Sequence, residues 1–84
     1  MDAADKQEAL FEVDEIFKYK DLIDRADRDV IKEILHKDDD KAGAFYSEFK
    51  DLVIKEVDHT LNKAQFAELR DELIANMKSH LGQN

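Results

Sequence analysis

The stretch Asp24-Arg25-Ala26-Asp27-Arg28-Asp29 decides how many helices this chain forms. It holds no large apolar side chain, yet Ile16, Ile23, Ala26, Val30 and Ile34 trace a stripe at helical spacing straight through it. A single helix over residues 7–36 would be about 45 Å long at the usual rise per residue. The two helices that follow are too short to cover it. A monomer therefore needs a break near Asp24 to Arg28, with Asp24 as N-cap and Asp27 at the third position. A homodimer needs none, because a twin covers the excess length.

Outward from that stretch the chain reads as helix in both directions. It has no proline, two glycines and no cysteine, and no window alternates with a period of two. Towards the N-terminus, Gln7 to Ile23 carries Leu10, Val13, Ile16, Phe17 and Ile23 on one stripe. Asp5 is its expected N-cap, with Glu8 three residues on, and residues 1–5 are expected to fray. Arg25 to His36 follows, with Val30, Ile31, Ile34 and Leu35 as its apolar face. The run Asp38-Asp39-Asp40 then offers caps and negative charge to a helix from Lys41 to Asp58, whose inward positions are Phe45, Phe49, Leu52, Val53 and Val57. The last helix has the clearest punctuation: Asn62 as N-cap, Gln65 at the third position, Leu61 stapling Phe66, and Gly82 as terminator. Its stripe is Phe66, Leu69, Leu73, Met77 and Leu81. The expectation is one all-α domain over residues 1–84, a small up-and-down bundle of four helices, or three if the first two are continuous.

Charge narrows the function. Twenty-one acidic residues against 13 basic ones give a formal net charge of -8. That balance disfavours direct nucleic-acid binding and membrane surfaces. Without cysteine there is no disulfide framework, and no apolar run forms a membrane span or a signal-peptide core, so the expected location is cytoplasmic. Much of the acidity is matched locally. Asp14 and Lys18, Asp21 and Arg25, Asp24 and Arg28, Glu33 and Lys37, and Asp51 and Lys55 are acid-before-base pairs one helical turn apart.

Catalytic patterns are absent. Ser47 and Ser79 lack a glycine-flanked turn, and two glycines do not make a phosphate cradle. His36, His59 and His80 are scattered without zinc-ligand spacing, so no metal ligand is assigned and no cofactor is expected. The segment Asp38-Asp39-Asp40-Lys41-Ala42-Gly43-Ala44-Phe45 resembles an EF-hand loop, with aspartates at loop positions one and three, glycine at six and an apolar residue at eight. It departs from the pattern at position five, which is Ala42, and at position twelve, which is Phe49 with Glu48 one residue early. This resemblance implies a degenerate divalent-cation module as an alternative function.

The leading expectation is a non-enzymatic interaction protein, the physical type of small inhibitors, immunity proteins and adaptors. It would dock an acidic, aromatic-bearing face on another protein with a basic surface. Phe11, Tyr19 and Tyr46 fall off or at the edge of the core stripes and are candidate anchors, unless the core faces are wide enough to absorb them. The face expected to carry binding joins the second helix to the third: His36, Asp38, Asp39, Asp40 and Tyr46.

Overall fold

The computed structural model describes residues 1–82. It contains four α-helices, α1 (Ala3–Glu15), α2 (Arg25–Lys37), α3 (Ala42–Val57) and α4 (Lys63–Leu81), with no strand among the described residues. The chain is therefore all-α with the first two helices separate. None of these helices is long and apolar enough to cross a membrane.

α2 starts at Arg25 behind Asp24 as expected, but the first helix ends before Ile23. α1 runs into a π-helical turn, Ile16–Lys20, and ends at Asp21, which adopts a left-handed conformation with φ of 55°. Leu22 and Ile23 then enter the core as connector residues, 8% and 4% exposed. Burying that apolar pair outside a helix ends α1 earlier than Ile23. The carbonyl of Leu22 accepts a hydrogen bond from the Arg70 guanidinium at 3.0 Å, which ties the connector to α4. Asp24 and Asp27 then form the expected reciprocal capping box, Asp24 Oδ1 accepting from the Asp27 N–H at 2.7 Å.

Two N-termini need correction. Asp2, not Asp5, caps α1, its Oδ1 accepting from the Asp5 N–H at 2.8 Å. Asp5 lies instead in the first turn, where its charge faces the positive end of the helix dipole. α3 starts at Ala42 after Lys41, whose ammonium has no acceptor with which to cap the helix, and Asp38 closes α2 in a left-handed conformation instead of opening α3. The α4 signature is formed as read: Asn62 and Gln65 bond reciprocally at 2.8 and 3.0 Å, and Gly82 terminates at φ of 79°.

α2 is the hub, packing against α1, α3 and α4. Its Val30, Ile31, Ile34 and Leu35 are buried, and Phe49 of α3 and Met77 of α4 close over them at 1% and 0% exposure. Each such side chain contributes roughly 1.5–3 kcal/mol by leaving water. Ala9, Ala42 and Ile74 join the core beyond the expected stripes, whereas Val57 and Leu69, assigned inward, are exposed. The two alanines are buried because a small side chain lets neighbouring helices approach closely.

Candidate functional site

Asp38 and Asp39 are drawn into the fold. Asp38 lies 3.5 Å from the Met1 amino group. Asp39 accepts from the Lys41 N–H at 2.9 Å and meets His80 Nε2 of α4 at 2.6 Å, with Lys37 at 4.0 Å. The His80 contact, then the Lys41 N–H, holds the Asp39 carboxyl below its ordinary range. The His80 ring also packs on Phe45, centroids 5.5 Å apart. The α2–α3 turn thus latches onto the last turn of α4.

The other residues of the expected face diverge from it. His36 and Asp40 are exposed. Tyr46 is half-buried against the core and turns towards α1, where its hydroxyl donates to the Glu12 carboxylate. Burial, followed by the hydrogen bond to Glu12, pushes the Tyr46 phenol well above its usual range. Glu12 also receives the Lys50 ammonium, and these two donors hold its carboxyl below 4.5. The EF-hand-like segment does not wrap a common centre: Ala42 is fully buried, while Asp38 and Asp39 face different partners. Among the described residues no three His, Asp or Glu side chains are grouped to hold a metal ion.

The turn-spaced charge pairs are partly rewired. Asp51 and Lys55 meet at 3.1 Å as read. Asp14 instead crosses to Lys32 of α2 at 3.1 Å, and Arg28 turns to Asp29 at 3.0 Å while lying over the Phe17 ring. Pairs this exposed contribute about 0–1 kcal/mol each.

The exposed aromatics are on α1 and its π turn. Phe11 is 63% and Tyr19 70% exposed. In a regular α-helix residues eight apart are rotated by about 80°. A π turn winds more widely, so each of its residues advances by less, and Tyr19 comes closer to the line of Phe11. Glu8, Phe11, Glu15 and Tyr19 consequently form one outward strip, acid and aromatic in alternation, with every member exposed. Lys18 lies 5.7 Å from the Tyr19 ring centre. Beside the strip is a groove between α1 and α3, lined by Glu12, Glu15, Ile16, Tyr19, Lys20, Lys50 and Val53. The aromatic positions were visible in the sequence, since both residues fall outside the core stripe. Their alignment was not, because it depends on the π turn.

No known protein family, curated protein or solved structure matches the chain significantly.

Proposed function

We propose that this chain is a non-enzymatic, acidic helical interaction module that docks on a partner protein with a basic surface. The observation that carries this reading is the pair Phe11 and Tyr19, two large aromatic side chains left in water on one strip between Glu8 and Glu15. Aromatic side chains lose little conformational entropy on binding and serve as interface anchors. Carboxylates around them steer a cationic partner and set its register. The net charge of -8 adds long-range attraction for such a partner. Asp40 extends the available acidic surface at the α2–α3 turn, where His36 is exposed as well, whereas Asp38, Asp39 and Tyr46 are engaged by contacts within the fold.

Site-specific photo-crosslinking in the source cells tests this. A photoreactive phenylalanine analogue replacing Tyr19 is expected to give a discrete adduct with a basic protein. Phe11→Ala should weaken it, as should about 0.5 M salt, which shortens the screening length to a few ångströms. An adduct through the same analogue at Asp40, with none at Tyr19, would move the docking face to the α2–α3 turn. Silence at both positions would overturn the reading.

A further inference from the structure

We propose that the groove between α3 and α4 is a second docking site, one that accepts a basic amphipathic helix of a partner protein. Leu52, Leu69 and Leu73 form its floor, Glu48, Asp51 and Glu72 its rim, and Asn76 closes one end. Leu69 belongs to the apolar stripe of α4 but stays 40% exposed, and with the partly buried Leu52 it leaves apolar surface open over the buried Leu73. The occupant follows from the charge of the rim. No Lys, Arg or His lines the groove. Asp51 has Lys55 as a partner, but among the described residues Glu48 and Glu72 make no ion pair and no side-chain hydrogen bond. The α1–α3 groove is different, because Lys20 and Lys50 line it together with Glu12 and Glu15.

An apolar floor between two unmatched carboxylates fits a helix that presents an apolar anchor with Lys or Arg one turn before and after it. A second copy of this chain fits poorly, since it would bring a strongly acidic surface against the same acids. At about 100° per residue, Glu48, Asp51 and Leu52 project from α3 on roughly the opposite side to Lys50 and Val53. The α3–α4 groove is thus separate from the α1 side of the molecule, and two segments are able to dock at once. The inference stands independently of the α1 strip.

The test is amide chemical-shift mapping on the isotopically labelled full chain, titrated with a short Leu/Lys amphipathic helical peptide and with a Leu/Glu peptide of the same pattern. The Leu/Lys peptide is expected to shift amides confined to residues 48–52 and 69–76, and the Leu/Glu peptide to shift none. Affinity should fall at least about tenfold in a Glu48→Lys, Glu72→Lys double variant. Both sites are exposed, so the fold is retained, and an unaltered amide spectrum elsewhere checks this. Leu69→Gln should weaken binding as well. Equal binding of both peptides, indifference to the double variant, or the same shifts on concentrating the protein alone would overturn the proposal, the last in favour of a second copy. Shifts confined to Phe11, Glu15 and Tyr19 would overturn the groove and leave the α1 strip standing.

Discussion

The Glu12 carboxylate in α1 accepts a hydrogen bond from the hydroxyl of Tyr46, 34 residues later in α3. Lys50, one turn beyond Tyr46, reaches the same oxygen. A single carboxylate therefore fastens the first helix to the third along one edge of the groove between them.

Replacing Glu12 with Gln should cost about 1 kcal/mol at neutral pH, the scale of a charge-assisted hydrogen bond at a partly solvated site. The dependence on pH has a definite sign. Because folding lowers this carboxyl below 4.5, its contribution is complete above that value and is lost as pH falls through the lowered folded value. Urea unfolding of wild type and Glu12→Gln should differ at neutral pH and converge in strong acid. Tyr46→Phe should show a loss of similar size.

The cap of α1 is checked by a paired substitution. Asp2→Ala removes the side chain that accepts the Asp5 N–H, and should lower stability by about 1 kcal/mol. Asp5→Ala removes only a first-turn charge, worth about 0.3–1 kcal/mol at low salt and less when screened. Thermal unfolding at moderate ionic strength should therefore rank Asp2→Ala as the more damaging change.

Phe49 is nearly inaccessible and sits against the α2 hub, so Phe49→Ala should lose about 3–5 kcal/mol. A domain of this size has only about 4–12 kcal/mol in total. Circular dichroism should show a strongly lowered thermal midpoint for this variant. Leu69→Ala, at a position 40% exposed, should remain folded.

Gly43 lies in the first turn of α3 with a helical backbone, and a β-carbon there would meet nothing within 4 Å. Gly43→Ala should raise stability by about 0.4–1 kcal/mol, because alanine restricts the unfolded chain without straining the folded one. A higher urea midpoint with an unchanged slope is the expected result.

Features encoded within a few residues were legible in the sequence. Asn62 with Gln65, Asp24 with Asp27, and Gly82 behave as local chemistry predicts, and together with the apolar stripes they give four helices. Features that depend on distant partners were not. The end of α1 is set by the burial of Leu22 and Ile23 beneath an Arg70 hydrogen bond from α4. Asp39 looked like a free acid in its run of three, but His80 reaches it from 41 residues away. Tyr46 looked like a surface anchor until α1 supplied Glu12. Leu69 satisfied the core periodicity of α4, yet it stays 40% exposed. Periodicity identifies an apolar face and is silent on whether anything packs against it.

The three corners at Asp21, Asp38 and His59, each turning through one left-handed non-glycine residue, bear on how quickly the chain finds its fold. They are so short that every helix meets its neighbour in sequence as soon as both exist, and the α1–α2, α2–α3 and α3–α4 contacts need only small loops to close. The absence of proline and cysteine removes isomerisation at proline and disulfide exchange as slow steps. Collapse onto α2 therefore belongs to the microsecond-to-millisecond regime of locally connected helical domains. Such a chain spends little time with its core leucines exposed, and so offers only a brief window for one unfolded molecule to associate with another.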